Sequence, residues 1–161
     1  MRQLSSSRER IGAFVADKAW FLLLLLGIID IVRGGFHTFA PDSGAGIVAG
    51  MDLSTNGANI IFLLATDGVS QISFGLWYLF ISLRERHLVV PALLLDWLRT
   101  GMVLYLEFVS KPPAHEVPGR FAHWSEFLLV SVVLLTLLLS SPQPFTRPSA
   151  KKAQAMSEVS Q

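Results

Sequence analysis

The sequence predicts an all-α integral membrane protein, built as a four-helix up-down-up-down bundle with a polar inner face. Its 161 residues are 52% hydrophobic and 16% charged, and their mean hydropathy is +0.50. Soluble domains carry about 25% charged residues. The apolar residues stand in blocks of about 20, the length that a helix needs to cross the hydrocarbon of a bilayer. The motif Asp-x-x-Arg-x-Gly occurs twice, each time inside such a block.

The four blocks lie at about 19–39, 58–83, 88–109 and 121–140, and together they form one domain, 19–140. Every backbone polar group needs a partner inside lipid, so each block is predicted to be a helix. The leucine run at 22–26 does not alternate as strands of a transmembrane barrel do. Residues 1–18 form a basic N-terminal segment, predicted to be cytoplasmic. Residues 141–161 contain three prolines and are predicted to be a disordered cytoplasmic tail.

The orientation follows from the distribution of Lys and Arg outside the blocks. The N-terminal segment, the second connection and the tail carry nine, whereas the first and third connections carry two. Positive residues favour the cytoplasmic side of a membrane. Both termini are therefore predicted to be cytoplasmic, in a multi-pass protein of the bacterial plasma (inner) membrane.

Two targeting alternatives concern the N-terminal region. The first block could be a cleaved signal peptide, although Asp30 and Arg33 precede any small-residue cleavage site. The basic and serine-rich start could also be a mitochondrial presequence, but Glu9 and Asp17 oppose that interpretation because presequences are poor in acidic residues.

The polar residues inside the blocks fall on one face of each helix, at the spacing i, i+3, i+4 and i+7. Turning these faces inward predicts a cleft that opens outward, because most of the polar groups lie between mid-depth and the outer helix ends. The candidate residues for a ligand, ion or proton site are Asp30, Arg33, His37, Asp67, Gln71, Asp96, Arg99, Glu107, His123 and Glu126.

A charge count adds a functional expectation. Three aspartates, Asp30, Asp67 and Asp96, are predicted to lie deep with two arginines, Arg33 and Arg99, and arginine stays charged. The surplus carboxylate must be protonated, meet a protonated histidine or bind a cation. We therefore expect a cavity that binds or passes a small solute, cation or proton. Asp67 is the leading residue because it has no basic neighbour on its own helix.

Three alternatives remain open at this point. In the first, Asp30–Arg33 and Asp96–Arg99 are structural pairs, and the glycines Gly34, Gly35, Gly75 and Gly101 allow close helix contacts. In the second, the chain is a membrane oxidoreductase or transferase acting on a lipid-soluble substrate such as a quinone, with Arg33 and His37 as polar anchors. In the third, it is a structural subunit of a membrane complex; homo-oligomers are also open.

Several classes of site are excluded or disfavoured. Cysteine is absent, which excludes disulfides, thiol redox chemistry and thiolate metal sites. A net charge of +1 gives no argument for nucleic acid. No serine elbow or complete triad pattern is present. We predict no cofactor and no metal, and keep His123–Glu126, with His115 and Glu116 nearby, as a minor metal alternative.

The first connection, 40–57, is rich in glycine and superficially resembles a phosphate loop. No strand precedes it and no Gly-Lys-Ser/Thr follows, so a solvated or interfacial loop is predicted instead.

The repeated motif lies on the first and third helices, which run in the same direction, so the two hairpins could be parallel repeats. The segment Ile29–Asp30–Ile31–Val32–Arg33–Gly34–Gly35–Phe36–His37 and the Pro118–Gly119–Arg120 lead-in resemble small DoxX-like bacterial membrane proteins. This resemblance implies four membrane helices over about 19–140. DoxX itself is linked to thiosulfate oxidation with quinone as acceptor. Its first-helix arginine lies much nearer the helix start than Arg33, so we do not extend that activity to this chain.

Overall fold

A computed structural model describes residues 2–113 and 120–140, without the side chains of 2–6, 8 and 9. Throughout these ranges the regular structure is helical, which confirms the predicted all-α class. The helices are α1 (Arg2–Phe39), α2 (Gly57–Arg84), α3 (Val89–Tyr105) and α4 (Arg120–Ser140). A 3₁₀ turn at Arg86–Leu88 precedes α3, and a π-helical turn at Leu106–Ser110 follows it.

The helix bounds agree with the predicted blocks, with two differences. α1 begins at Arg2 rather than near Ala19, since the N-terminal segment contains no proline and nothing in it stops the helix. Hydrophobicity marks where lipid contact begins, not where a helix begins. The end of the third block forms a π-helical turn, for which the sequence has no signal. The predictions for 114–119, including His115 and Glu116, and for the tail 141–161 lie outside the described residues.

Three helical stretches among the described residues are long and apolar enough to cross a membrane: Gly57–Arg84, Arg86–Ser110 and Arg120–Ser140. The surface has the matching character. Large apolar side chains point outward, for example Val32 (69% exposed), Leu95 (66%) and Leu138 (72%), whereas the carboxylate of Asp96 is fully buried. Such an arrangement is unfavourable in water and suited to lipid. The chain is thus described as a transmembrane helical protein, and the predicted crossing by α1 stays a prediction.

Two pairs of glycines bring the backbones of α1 and α2 into direct contact. A Cβ atom on Gly34 would lie 2.5 Å from the carbonyl oxygen of Gly68, and one on Gly75 would lie 2.6 Å from that of Gly27. The two pairs show that the helices are antiparallel. Within each helix the glycines are seven residues apart, the repeat that keeps one narrow seam facing a partner helix. Small residues allow this close approach in membrane helices.

The glycines named from the sequence behave differently from one another. Gly34 and Gly75 lie in the contact between α1 and α2, as expected for close approach. Gly35 was a wrong choice, because a Cβ atom there would meet nothing within 4 Å. Gly101 of α3 faces the ring of Phe127 on α4, where a Cβ atom would lie 3.2 Å from the ring.

α3 and α4 pack through aromatic and polar contacts. The Trp97 ring stacks on that of Phe127 with centroids 5.2 Å apart, and its indole N–H donates to the Ser131 hydroxyl at 2.7 Å. The apolar core, to which all four helices contribute, contains Leu23, Leu93 and Val130, all fully buried. The polar residues on the same helices are consequently held at defined rotations.

Candidate functional site

The centre of the site is the guanidinium of Arg99 on α3, held between two buried aspartates. Its Nη2 donates to Asp30 Oδ2 of α1 at 3.1 Å and to Asp96 Oδ1 at 2.9 Å. Asp30 is 3% exposed and Asp96 0%. Tyr78 of α2 donates its hydroxyl to the same Asp96 oxygen at 3.0 Å. Three helices therefore meet at one ionic centre, and Tyr78, which is not among the residues predicted from the sequence, belongs to it.

A second branch runs from Asp30 to α2. Arg33 donates to Asp30 Oδ1 at 3.2 Å and through its Nε to the side-chain oxygen of Gln71 at 3.1 Å. The Gln71 amide in turn donates to Asp67. Asp67 was expected to lie deep with the other aspartates, but its side chain is exposed. The surplus of buried negative charge consequently lies elsewhere.

α4 contributes the missing carboxylate. Glu126 Oε1 accepts from the Thr100 hydroxyl at 3.0 Å and lies 3.4 Å from Arg99 Nη2. The side chain of Glu126 is 13% exposed. Three carboxylates thus surround one guanidinium, and Glu126 is the farthest from it. Thr100 was missed from the sequence, although it follows Arg99 directly in the repeated motif.

A separate cluster joins the π-helical turn after α3 to the start of α4. Arg120 Nε donates to Glu107 Oε1 at 2.6 Å, and His123 Nδ1 lies 3.5 Å from Glu107 Oε2. The Arg120 guanidinium also lies over the Phe108 ring, 4.8 Å from its centroid. Glu107 stands in the π-helical turn, so it shares this cluster rather than the central network. Arg120 was not among the site residues predicted from the sequence.

The first connection, predicted to be a solvated or interfacial loop, folds back onto the bundle in part. Ser43, Gly44 and Ala45 are buried, and the Ser43 carbonyl lies 2.7 Å from His37 Nδ1. Asp42 accepts hydrogen bonds from the backbone N–H groups of Ile47, Gly44 and Gly46 at 2.8–3.0 Å. These N–H groups hold the pKa of Asp42 below its ordinary value, with Ile47 the largest contributor. The glycine-rich loop therefore binds its own carboxylate, in the manner in which phosphate loops bind an external anion.

A cavity of about 590 Å³ lies above the central network, with walls from all four helices and from the first connection. Seven of the ten predicted site residues line it, namely Arg33, His37, Asp67, Gln71, Arg99, His123 and Glu126. Asp30 and Asp96 do not line it and contact the arginines beneath. Apolar side chains, including Phe36, Leu64, Phe74 and Val103, form much of the remaining wall. An apolar pocket with a few convergent polar groups is the usual form of a small-molecule site.

In the described part of the chain, no group of three or more His, Asp or Glu side chains is arranged to hold a metal ion. His123 and Glu126, the suggested metal pair, both line the cavity, but His123 is directed to Glu107 and Glu126 to Thr100. The site presents carboxylates, guanidinium groups and other hydrogen-bonding groups in an otherwise apolar chamber.

Comparison with known proteins gives no relative from which a role could be transferred. No protein-family model, no curated protein and no solved structure matches this chain. The resemblance to DoxX-like proteins thus stays a prediction from short motifs.

Proposed function

We propose that this chain is a multi-pass protein of the bacterial plasma membrane whose outward-opening cavity binds or passes a small solute, cation or proton. The observation that carries the proposal is the surplus of carboxylates in a connected network under the cavity. Arg99 contacts Asp30, Asp96 and Glu126, whereas Arg33 supplies the second positive charge. Two arginines face three carboxylates, so one negative charge needs a proton or a cation.

The topology is part of the proposal. α1 joins the three apolar helices as a fourth crossing, in an up-down-up-down bundle with a polar inner face and both termini in the cytoplasm. Support comes from the nine-to-two distribution of Lys and Arg. Further support comes from Arg86, whose guanidinium lies 4.4 Å from the centroid of the Trp20 ring near the same end of the bundle. Tryptophan and arginine are typical of a membrane interface. With this orientation the cavity opens outward.

A second candidate is an enzyme that acts on a lipid-soluble substrate such as a quinone. The observation that favours it is that Arg33 and His37 both line the cavity beside apolar walls. A hydrogen-bond donor near a quinone carbonyl would fit such a chamber. The charge surplus has no role in this alternative, which is why we rank it second.

The test is to identify small molecules that co-purify with the protein in lipid nanodiscs, by mass spectrometry. Val103→Trp fills the cavity, and Leu95→Trp on the outer face of the same helix is the matched control. We expect a bound solute in the wild type and in Leu95→Trp, but not in Val103→Trp. A quinone lost in the same way would favour the enzyme. A stoichiometric partner protein without any solute would favour a structural subunit and contradict the proposal.

A further inference from the structure

We infer that the occupant of the cavity is an organic monocation with an apolar body, and that Glu126 is its counter-charge. This inference rests on the proposed function and names the chemical class of the solute. Three observations support it: the excess of carboxylates around Arg99, the position of Glu126 in the cavity wall, and the apolar side chains that line much of the rest of the cavity.

The charge argument separates Glu126 from the two other carboxylates that contact Arg99. One terminal nitrogen of Arg99 carries two hydrogens and has three carboxylate neighbours. The distances are 2.9 Å to Asp96, 3.1 Å to Asp30 and 3.4 Å to Glu126. The two nearer carboxylates do not line the cavity, whereas Glu126 does. The least compensated of the three carboxylates is therefore the one that a solute can reach.

The same geometry disfavours an anion. Both arginines that line the cavity already contact carboxylates, Arg33 with Asp30 and Arg99 with all three. An anion bound there would face a cluster with more carboxylates than arginines. It would also have to displace existing ion pairs in a site of low dielectric, where unpaired charge is costly.

The walls favour an organic over an inorganic cation. A hard metal ion prefers six or more oxygen ligands, or a few ligands with waters. Apolar and aromatic side chains, among them Phe36, Phe74 and Val103, instead line the same cavity as Glu126. Such walls stabilise an apolar body by burial. The volume of about 590 Å³ suits a small organic molecule.

The first measurement compares three ligands of the same shape: phenylbutylamine, phenylbutanol and phenylbutyrate. Their binding to the full-length protein in nanodiscs at neutral pH is measured by titration calorimetry. We expect the amine to bind about tenfold more tightly than the alcohol, since a charge-assisted contact is worth about one decade of affinity. The carboxylate should bind most weakly.

Variants then assign the counter-charge. Glu126→Gln keeps an oxygen that can accept from Thr100, and we expect it to lose the preference for the amine while still binding the alcohol. Glu126→Asp should retain the preference. The control is Glu85→Gln, the same chemical change beyond α2, where Glu85 contacts His87 at the surface and does not line the cavity. It should bind all three ligands as the wild type does.

The outcomes distinguish this inference from the proposed function. Equal affinities for amine and alcohol in the wild type, with both lost in Val103→Trp, would overturn the inference and leave a neutral-solute cavity. An amine preference that persists in a folded Glu126→Gln would overturn the assignment of the counter-charge. Absence of binding by all three ligands, or binding that Val103→Trp does not affect, would count against the cavity function as well.

Discussion

The close contact between α1 and α2 allows one sharp prediction. Gly34 of α1 packs against the backbone of α2, whereas the adjacent Gly35 has open space beside it. Gly34→Ala places a Cβ atom 2.5 Å from the Gly68 carbonyl oxygen and 2.9 Å from the Ile72 nitrogen. Both obstacles are backbone atoms, which cannot rotate away. To reach an ordinary contact distance, the helices would have to separate by about 1 Å, and they would lose contacts along the seam. Gly35→Ala meets nothing within 4 Å.

The magnitudes follow from these distances. Overpacking in a closely packed contact costs about 1–3 kcal/mol, and backbone obstacles place Gly34→Ala at the upper end. Against this, alanine is favoured over glycine in a helix by about 1 kcal/mol. We therefore expect Gly34→Ala to lower the free energy of unfolding by about 2 kcal/mol. Gly35→Ala should raise it by up to about 1 kcal/mol.

The assay is reversible unfolding or thermal denaturation of the two variants in the same detergent, beside the wild type. A difference of about 3 kcal/mol between adjacent substitutions cannot come from helix propensity, which is common to both. If the two variants shifted stability in the same direction and by similar amounts, the glycine contact between α1 and α2 would not exist in the protein. Gly68→Ala, which meets the Gly34 carbonyl oxygen at 2.7 Å, should repeat the effect from the other helix.

Three further predictions concern topology, charge and pH. Phosphatase reporters fused after Gly57 should be active and those after Ser149 inactive; the reverse would overturn the proposed orientation. Asp30→Asn should cost about 3 kcal/mol, because it leaves Arg33 without a carboxylate partner, while Arg99 keeps its contacts with Asp96 and Glu126. Asp67→Asn, at an exposed residue, should lower the free energy of unfolding far less. Thermal denaturation of both variants measures this difference, and equal losses of stability would show that Asp30 is not central to the network. The pKa of Asp42 is lower in the folded protein than its ordinary value of about 4. The ionised Asp42 carboxylate therefore stabilises the first connection at pH values above about 4, and this stabilisation is lost as the pH falls through the lowered pKa. Amide exchange in the first connection should therefore accelerate at acid pH relative to the helices, and a uniform response would contradict this role.

Much of the helical framework could be read from the sequence, since block length and charge spacing are local properties. The pairs Asp30–Arg33 and Asp96–Arg99 are present at 3.2 Å and 2.9 Å, as their spacing of three residues predicts. The contact between Asp30 and Arg99 could not be read in this way. It depends on the rotation and register of α1 against α3, which arise from contacts between helices that are distant in sequence.

Some signals were present in the sequence and were given the wrong weight. The seven-residue spacing of Gly27 with Gly34 and of Gly68 with Gly75 identifies the contact face of each helix, whereas Gly35 merely adjoins that face. Asp67 was expected to be buried because it lies far along its helix, but its side chain lines the open cavity and is exposed. The π-helical turn that carries Glu107 has no recognisable sequence signal, so its separate cluster could not be anticipated.

The glycine seam also has a mechanical consequence. Backbones in direct contact at two points, seven residues apart, cannot slide past one another by a single turn without collision, so α1 and α2 form a stiff unit. α3 and α4 are joined to each other by the stacked rings of Trp97 and Phe127. We therefore expect the chamber to change its shape by displacement of α3 and α4 relative to the unit of α1 and α2. The contact between Asp30 and Arg99 joins α1 to α3, and we expect it to limit how far α3 can move away from α1.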